Sequence, residues 1–526
     1  MAKILVSDPL AEEGIRILQQ CGQVDVRTGL SKEELISIIG EYDALAVRSE
    51  TKVTADVIEA GKKLKIIGRA GVGVDNIDVP TATRHGILVV NSPGGNTIAA
   101  AELTMALMLA MARNIPAAVA SLKSGEWKRK QFTGVEIYKK VLGIIGLGKI
   151  GREVARRALG FEMEVLAYDP FQSAESAARA GIRLVDLDEL IGKSDFITLH
   201  LPKNPQTAGM ISDDQFARMK DGVRIVNCAR GGIIDEMALV RAIESGKVAG
   251  AAVDVFEQEP PPADHPLLSM KQVVATPHLG ASTEEAQINV AIDVAEQIVD
   301  VLSGKPARSA VNMPALSLED LGIVEPYMRL AQAMGTLASC ITDGAARSVE
   351  ITYYGSIAES DVGPVTRAAL VGFLQPFCPE NVNYVNAPML AESRGIKVTE
   401  SRAGAHEEYQ DLMTIRFVTD TEERRLSGTV FGKGDIRITG IDGFGIDVVP
   451  QGIVIFSSHV DKPGIIGKFG AVLGKAGINI AGMHLGREAR GKQAVMILSV
   501  DDPVPPEVVK ELASLEGIER LRVVQF

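Results

Sequence analysis

A glycine-rich turn between two apolar runs is the feature that most restricts how this chain can fold. The stretch 141–170 has the sequence VLGIIGLGKIGREVARRALGFEMEVLAYDP. It combines an apolar run, three glycines spaced G-x-G-x-x-G, a helical pattern, a second apolar run and an aspartate. The glycine spacing alone is weak, but a preceding strand, a following helix and an acidic residue after the next strand make it specific. The stretch therefore predicts a dinucleotide-binding βαβ unit, and the alternative is a glycine turn in an ordinary βαβ unit.

Each residue of this motif has a physical role in such a unit. Gly146 permits the tight turn, Gly148 lets a pyrophosphate approach the backbone, and Gly151 lets helix and strand pack closely. The helix N-terminus adds backbone amides and a partial positive charge. Asp169, which stands 18 residues after Gly151, can accept hydrogen bonds from ribose hydroxyls and would repel a 2′-phosphate. The motif therefore predicts NAD in preference to NADP.

The late position of the motif predicts a domain inserted within another domain. Apolar strands separated by helical patterns occur both before and after residue 141, which is typical of an α/β fold with two doubly wound, Rossmann-like parallel sheets. We predict a discontinuous substrate-binding domain (1–97 and 282–315) around an inserted NAD-binding domain (98–281). A cleft between the two domains would then be the expected ligand site.

The sequence after residue 315 has a different character. Residues 316–449 contain alternating patterns and glycine turns, which predict an α+β intervening domain, with two short sheets as one possible arrangement. Residues 450–526 follow the order strand, helix, strand, strand, helix, strand, which is the ferredoxin-like βαββαβ order. The chain is thus expected to contain four domains.

Composition excludes several classes of protein. The net charge of −12 argues against a general nucleic-acid surface, so that an anionic substrate needs a local basic cluster. The apolar stretch 98–113 is shorter than the ~20 residues of a membrane span and carries Glu102, which predicts a buried or interface helix. The N-terminus lacks the pattern of a signal peptide. The spacing of the four cysteines suggests no disulfide framework and no metal site, so that reduced thiols in the cytoplasm are expected.

Three polar residues follow predicted strands on the side of the sheet where ligands bind. Arg230 and His278 come just after strands, and Glu259 lies in a turn after another strand. Oxidation of a 2-hydroxy acid needs a base for the hydroxyl proton, a carboxylate that orients the base, and a cation for the substrate carboxylate. Histidine, glutamate and arginine suit these roles in that order. The alternatives are a surface arginine, a solvated glutamate and a structural histidine.

The glycine motif, NCARGGIIDE, DVFEQEP and TPHLGAST together resemble the D-2-hydroxyacid dehydrogenase family. Over essentially the whole chain, the resemblance is to members that carry an intervening domain and an ACT regulatory domain. It implies NAD-dependent oxidation of 3-phosphoglycerate to 3-phosphohydroxypyruvate, the first committed step of L-serine biosynthesis. His278 would be the acid/base, Glu259 its support and Arg230 the carboxylate ligand. The implied cofactor contacts are Gly146, Gly148, Lys149, Ile150, Gly151, Asp169, Pro202, Thr207, Cys228, Ala229, Arg230, Asp254, His278, Leu279, Gly280 and Ala281.

The resemblance also implies a set of substrate contacts. Arg48 and Arg69 follow strands of the first series and can face the cleft, and Asn96 and Thr97 open the helix beside it. Trp127 is implied as an aromatic anchor in a dimer contact. Without the resemblance, the segment around Trp127 would be an exposed basic linker. The implied assembly is a homodimer or homotetramer. The implied substrate contacts are Arg48, Arg69, Gly71, Val72, Gly73, Asn96, Thr97 and, reaching a neighbouring subunit's site, Arg129.

The C-terminal domain resembles the ACT domains, which bind amino acids. Asp461 and Gly464 lie at a strand-to-helix turn, where a carboxylate can pair with an amino group and helix amides can receive a carboxylate. Asn479, before the next strand, would bridge a ligand between paired domains. The resemblance implies an L-serine site that gives feedback. The alternative is that Asp461 only caps the helix and Asn479 only makes a turn.

Two other functions are compatible with these motifs. One is a glyoxylate or hydroxypyruvate reductase of the same family, although such enzymes usually lack both C-terminal domains. The other is an NAD-sensing binding protein like the family's corepressor relatives, whose main output is recruitment of partners. Their usual chain lacks an ACT domain.

Overall fold

The computed structural model describes residues 1–314, 318–378, 381–432 and 434–526. In these ranges it contains four β-sheets, and each sheet falls inside one of the four predicted domains. The fold class predicted from the sequence is therefore confirmed. The domain boundaries stay predictions, and the one at 315–316 lies outside the described residues.

The first sheet has five parallel strands in the order β2-β1-β3-β4-β5. Four of them are the short apolar runs recognised in the sequence, and their side chains are almost entirely buried. The edge strand β2 has no such run. The bounds are β1 Ala2–Val6, α1 Glu12–Leu18, β2 Gly22–Val26, α2 Lys32–Ile39, β3 Ala44–Val47, α3 Ala55–Ala60, β4 Ile66–Arg69, α4 Val79–Arg84 and β5 Leu88–Asn91.

Two helices lead from the first sheet to the second. The apolar helix α5 (Thr97–Ala112) buries Met105, Met108 and Met111 in the core of the second sheet, as expected for a buried helix. The next helix, α6 (Ile115–Lys123), buries none of its residues. In the described part of the chain no single helix is long and apolar enough to span a membrane; α5 and α6 pass that test only as a pair, bent by 63°.

The second sheet has seven parallel strands in the order β12-β11-β10-β9-β6-β7-β8, which is a doubly wound arrangement. The switch in strand order falls beside β6, so that the glycine motif lies where such sheets bind ligands. The bounds are β6 Val141–Ile145, α7 Lys149–Gly160, β7 Glu164–Tyr168, α8 Ala174–Arg179, β8 Arg183–Leu184, α9 Leu187–Lys193, β9 Phe196–Leu199, α10 Asp213–Arg218, β10 Val223–Asn227, α11 Glu236–Glu244, β11 Val248–Val253, α12 Pro266–Ser269 and β12 Val273–Ala275.

After β12 the chain returns to the first sheet. Helix α13 (Glu284–Leu302) packs so closely on β4 that a Cβ added to Gly68 would lie 2.6 Å from Val294. The segment that follows reaches β5, where Val89 N donates to Asn312 Oδ1 across 2.9 Å. Residues 284–314 therefore complete the core of the first sheet, which supports the predicted insertion of one domain within the other.

The intervening domain contains one six-stranded sheet, in the order β14-β13-β15-β16-β17-β18. The suggestion of two short sheets is wrong, because β13 pairs with β14 on one side and with β15 on the other. The long helices α14 and α15 pack on this sheet. The bounds are α14 Leu318–Ile341, β13 Ala346–Tyr354, α15 Gly363–Leu374, α16 Ala387–Ser393, β14 Lys397–Ala403, β15 Leu412–Thr419, β16 Glu423–Phe431, β17 Asp435–Ile441 and β18 Phe444–Val448.

The last sheet has the strand order β20-β21-β19-β22 and confirms the predicted βαββαβ order. One face carries its own two helices. The opposite face, which includes Phe456 and Ile497, belongs to the same hydrophobic core as α14 and the intervening sheet. The two C-terminal domains therefore share a core. The bounds are β19 Ile453–Val460, α17 Ile465–Lys475, β20 Ile480–Arg487, β21 Gln493–Val500, α18 Pro506–Ala513 and β22 Ile518–Gln525.

A short turn of the intervening domain packs against the first domain. Asn383 Nδ2 donates to Gly86 O across 2.9 Å, and Val385 is buried in the core of the first sheet. Gly86 lies in the turn between α4 and β5, and β5 leads directly to Asn96 and Thr97. The intervening domain is therefore attached to the element that precedes the predicted substrate residues.

Candidate functional site

The glycine motif forms a tight turn between β6 and α7. A Cβ added to Gly146, whose φ is 97°, would lie 2.4 Å from the carbonyl oxygen of His200. A Cβ added to Gly151 would lie 2.2 Å from the carbonyl oxygen of Gly146, so that helix and turn are in close contact. A Cβ added to Gly148 would meet no atom within 4 Å. The turn therefore leaves open space at the middle glycine, at the N-terminus of α7, and a pyrophosphate fits this position.

The acidic residue after β7 is tied to the same turn. Asp169 Oδ2 accepts a hydrogen bond from Leu147 N at 2.8 Å, and Oδ1 accepts one from Phe171 N at 2.9 Å. A carboxylate has about four acceptor positions, so that two remain for ribose hydroxyls. Asp169 therefore supports the turn and keeps free acceptor positions, while its contact with a nucleotide stays a prediction.

The histidine and the glutamate predicted as catalytic residues are in contact. His278 Nδ1 and Glu259 Oε2 are 2.7 Å apart, and the two side chains are 44% and 38% exposed. Glu259 Oε1 also accepts a hydrogen bond from Phe256 N. Partial burial acts to raise the pKa of Glu259, but the hydrogen bond and charge of His278 outweigh it and hold the pKa below its ordinary value. Glu259 is therefore ionised at neutral pH and able to orient the imidazole ring.

A buried aspartate fixes the loop that carries His278. Asp254, which has no exposed surface, accepts hydrogen bonds from Thr276 Oγ1 (2.6 Å), Leu279 N (2.8 Å) and Gly280 N (3.0 Å). Its backbone carbonyl accepts a hydrogen bond from His278 N. Burial is the main cause of a raised pKa of Asp254, and the three hydrogen bonds oppose it. The predicted segment 278–281 is thus held by Asp254 at the end of β11.

Arg230 extends from the end of β10 towards the first domain. Its Nε donates to Asp75 Oδ2 at 3.1 Å, and its Nη1 donates to Ala229 O at 2.7 Å. Its Nη2 lies against Gly73, where an added Cβ would be 2.0 Å away. The predicted substrate loop Gly71–Gly73 and the predicted carboxylate ligand are therefore in contact across the cleft.

Arg69 is the most deeply placed cation of this cluster. Burial, followed by the charge of Arg230, lowers the pKa of Arg69 to about 10, and Arg48 acts in the same direction. Its Nε is buried without a hydrogen-bond partner in the described part of the protein. Arg48 is fixed nearby because its backbone N donates to Asp8 Oδ2. Three arginines thus converge on one end of the cleft, which suits a substrate with more than one negative charge.

The loop after β5 closes another side of the same cleft. Asn96 Oδ1 and Thr97 Oγ1 are buried without a hydrogen-bond partner among the described residues, as is Ser92 Oγ. Buried polar atoms are nearly always paired in folded proteins, so that these three atoms indicate a site for a ligand or for water. Lys149, at the start of α7, lies against Gly94, with its ammonium 3.6 Å from the position of an added Cβ. The loop therefore lies beside the nucleotide turn.

The remaining predicted cofactor residues lie in loops and at helix ends of the second sheet. Thr207 Oγ1 donates to Pro202 O at 2.7 Å in the loop after β9. Burial raises the pKa of the Cys228 thiol to about 12, so that it stays protonated. Ile150 lies in the first turn of α7, and Ala229 and Ala281 lie in the loops of Arg230 and His278.

Arg129 is placed apart from these residues. It belongs to a short 3-10 helix, Arg129–Phe132, beside a shallow cavity of about 610 Å³ that is also lined by Trp127. Trp127 is 82% exposed. No contact between Arg129 and the cleft is seen in the described part of this single chain, and its reach into a neighbouring subunit stays a prediction.

The predicted regulatory residues lie around the turn between β19 and α17 and before β20. Asp461 Oδ2 accepts a hydrogen bond from Arg487 at 3.0 Å. Gly464 begins α17 with φ 93° and open space around it. Asn479 Nδ2 donates to Asp501 Oδ2 at 2.6 Å. The site roles of these residues stay predictions.

Sequence reasoning missed Asp8, Asp75 and Ser92. Asp8 and Ser92 each follow a strand of the first sheet, a position that could have drawn attention to them. Asp75 lies two residues after the predicted substrate loop Gly71–Gly73, but its pairing with Arg230 depends on how the two domains face each other.

Three family models match successive parts of the chain. They are "D-isomer specific 2-hydroxyacid dehydrogenase, NAD binding domain" at 105–280, "D-3-phosphoglycerate dehydrogenase intervening domain" at 323–442, and "ACT domain" at 452–517. Together with the cleft, they define the class: an oxidoreductase of the D-isomer-specific 2-hydroxyacid dehydrogenases, with NAD as its cofactor. The D-3-phosphoglycerate dehydrogenase of Synechocystis is 51% identical, over 100% of this chain and 95% of that protein. That of Archaeoglobus fulgidus is 50% identical, over 98% of each. The chain belongs to the D-3-phosphoglycerate dehydrogenase family.

Solved structures match somewhat more than half of the chain. A glyoxylate reductase from Paecilomyes thermophila is 33% identical with a TM-score of 0.55, covering 59% of this chain and 98% of that chain. D-lactate dehydrogenase from Aquifex aeolicus, complexed with NAD and lactic acid, is 27% identical with a TM-score of 0.52, covering 57% and 96%. The predictions of an NAD-dependent enzyme and of the family are confirmed. The full-length matches favour this family over the glyoxylate reductases.

Proposed function

We propose that the chain oxidises 3-phospho-D-glycerate to 3-phosphohydroxypyruvate with NAD, the first committed step of L-serine biosynthesis. The observation that carries this proposal is the 2.7 Å contact between His278 Nδ1 and Glu259 Oε2. Because Nδ1 faces Glu259, Nε2 is left to take the proton of the C2 hydroxyl. Glu259 stabilises the imidazolium that results. NAD, when bound, supplies the hydride acceptor.

The arginine cluster suits the proposed substrate, which carries a carboxylate and a phosphate. We assign the carboxylate to Arg230 and the Gly71–Gly73 loop, because guanidinium and backbone amide groups are good donors to a carboxylate. We assign the phosphate to Arg48 and Arg69, with Arg129 of a neighbouring subunit as a further cation. A buried arginine with an unpaired Nε is stabilised by an anion that accepts its hydrogen bond.

The ACT domain indicates regulation by a small ligand, and we propose L-serine. Asp461 would accept the amino group, the amides at the start of α17 after Gly464 would receive the carboxylate, and Asn479 would contribute from a paired domain. We further propose a homodimer or homotetramer with Trp127 at a subunit contact, because Trp127 is 82% exposed in this chain and tryptophan is enriched at protein–protein interfaces. A cytoplasmic location is proposed from the cysteine spacing.

The substrate proposal is tested by NADH absorbance with 3-phosphoglycerate and with unphosphorylated D-glycerate. We expect 3-phosphoglycerate to be preferred by at least ~100-fold in kcat/KM, since about two charge-assisted hydrogen bonds are lost without the phosphate. Arg69→Met should remove most of that preference, whereas Arg27→Met, a change at an exposed arginine of the same domain, should not. Equal kcat/KM for the two substrates would contradict the proposal.

A further inference from the structure

The guanidinium of Arg230 is held from the opposite side of the cleft by Asp75. Arg230 Nε and Asp75 Oδ2 are 3.1 Å apart, although 155 positions separate the two residues in the chain. Arg230 follows β10 of the second sheet, whereas Asp75 lies in the loop after β4 of the first sheet. The ion pair therefore joins the two domains beside the proposed carboxylate site.

Each nitrogen of the Arg230 guanidinium has a defined neighbour. Nε donates to Asp75, Nη1 donates to Ala229 O at 2.7 Å, and Nη2 lies against the backbone of Gly73. A guanidinium has five N–H donors, so that Nη2 retains donors for a ligand. The two existing hydrogen bonds fix the plane of the group, and that plane decides where a carboxylate can be bound in a bidentate manner.

The loop that carries Asp75 is itself firmly attached to the first domain. Asn76 Nδ2 donates to Arg48 O at 2.8 Å and to Thr51 O at 2.7 Å. Asn76 O accepts a hydrogen bond from Val53 N at 2.8 Å. The Asp75 carboxylate thus extends from a fixed backbone, which allows it to determine the position of a side chain in the other domain.

Asp75 also influences the electrostatics of the arginine cluster. Of the two carboxylates that raise the pKa of Arg69, Asp75 has the larger effect. The other one, Asp8, is occupied by Arg48 N and Thr51. Asp75 is 68% exposed and Arg230 is 27% exposed. An ion pair this open to solvent contributes little to folding stability, so that an effect on the orientation of Arg230 is the more important consequence.

We propose that Asp75 is a positioning residue: by holding Arg230 Nε from the opposite domain, it keeps Nη2 beside the Gly73 backbone, where the substrate carboxylate binds. This inference rests on the proposed function. It predicts weaker substrate binding when Asp75 is changed. Binding of NAD should be preserved, because neither Asp75 nor the Nε of Arg230 lies at the turn formed by Gly146, Gly148 and Gly151.

The test compares Asp75→Ala and Asp75→Asn with a matched control, Asp56→Ala. Asp56 is a similarly exposed carboxylate of the same domain and pairs with Lys32 away from the cleft. We expect Asp75→Ala to raise the KM for 3-phosphoglycerate about tenfold. The reason is that a misoriented Arg230 loses about one charge-assisted hydrogen bond to the substrate carboxylate. The KM for NAD should not change, and kcat should fall less than the substrate KM rises. Asp75→Asn should have a smaller effect, because its amide oxygen still accepts from Nε.

Two outcomes would overturn the inference alone. An unchanged substrate KM in both Asp75 variants would show that Arg230 is positioned without Asp75. A lower KM would show that Asp75 competes with the substrate for Arg230. If Asp75→Ala does not fold, Asp75→Asn decides the matter by the same measurement. A wild-type chain that forms no NADH from 3-phosphoglycerate would instead overturn the proposed function, and the inference with it.

Discussion

Asn383 of the intervening domain hydrogen-bonds to Gly86 of the first domain, 297 positions earlier in the chain, with Nδ2 and the carbonyl oxygen 2.9 Å apart. Gly86 has φ 70°, and a Cβ added there would lie 2.3 Å from Asn383 Nδ2. The strand that follows this turn leads to Asn96 and Thr97. The contact therefore links the intervening domain to one wall of the candidate catalytic cleft.

Gly86→Ala should destabilise the protein more than Gly29→Ala. Both glycines have a positive φ, so that both alanines are strained by about 1 kcal/mol. Only the alanine at Gly86 also displaces Asn383, because no atom lies within 4 Å of a Cβ added to Gly29. Thermal unfolding should show a melting temperature several degrees lower for Gly86→Ala than for Gly29→Ala. Equal melting temperatures would show that the contact with Asn383 is unimportant for stability.

Gly148→Ala and Gly151→Ala should separate cofactor binding from folding. The alanine at Gly148 enters open space, so that the melting temperature should stay unchanged while the Kd for NAD rises at least about tenfold, because the pyrophosphate is displaced. The alanine at Gly151 would clash with Gly146 O and should lower both the melting temperature and NAD affinity. Calorimetric titration with NAD and thermal melts measure the two effects. Unaltered NAD affinity in Gly148→Ala would contradict the assigned role of the turn.

His278→Ala should lower kcat by about 100- to 10,000-fold, the usual contribution of a general acid/base, with little change in the Kd for NAD. A matched control is His265→Ala. His265 also pairs with a glutamate, since His265 Nε2 and Glu236 Oε2 are 2.9 Å apart, but in the described part of the protein this pair makes no hydrogen bond to Glu259, His278 or Arg230. The control should affect stability while kcat stays within a few-fold of wild type. Comparable losses of kcat in the two variants would argue against the catalytic assignment.

Glu259→Gln should change how the stability of the protein depends on pH. The pKa of Glu259 is lower in the folded chain than its ordinary value. Its ionised form therefore stabilises the fold at pH values above the ordinary pKa of a glutamate. This contribution is lost as the pH falls through the lowered pKa of the folded protein. The melting temperature of wild type should exceed that of Glu259→Gln at pH 6 to 7, and the difference should shrink on acidification. A difference that stays constant down to pH 3 would disagree with this assignment.

Asp461→Asn should weaken binding of L-serine by at least about tenfold, through the loss of a charge partner for the amino group, while kcat without serine stays unchanged. Glu507→Gln, at the exposed start of α18, is the control and should bind serine normally. Calorimetry with serine, together with inhibition of NADH formation, measures both variants. Wild-type serine affinity in Asp461→Asn would remove Asp461 from the proposed site.

The strands that could be predicted from the sequence are those whose burial on both faces leaves a clear pattern of apolar residues. The strands recognised in advance have nearly continuous apolar runs, because both faces of a parallel sheet are covered. Three strands that were missed lack such a run, namely Gly22–Val26, Arg183–Leu184 and Lys397–Ala403. All three lie at sheet edges; the first and third are partly exposed, and the second has only two residues. The single intervening sheet was not foreseen either, since the pairing of β13 with β14 joins segments far apart in the chain.

The candidate site shows a similar division. Arg230, Glu259 and His278 could be identified because each follows a strand at the edge of the sheet where ligands bind, and the contact between His278 and Glu259 agrees with that reasoning. The ion pair between Asp75 and Arg230 could not be derived, because it depends on the orientation of two domains. The proposed role of Asn479 could not be checked in the same way, because it depends on a second copy of the ACT domain.

The hydrophobic core common to the last two domains has a practical consequence for studies of regulation. Phe456 and Ile497 are 1% exposed because α14 and the intervening sheet cover them. A shortened protein that ends before Ile453 would leave the other half of that core open to water and prone to aggregation. The proposed serine site should therefore be tested by single substitutions at Asp461 and Asn479, since deletion of the domain would alter folding as well as any ligand response.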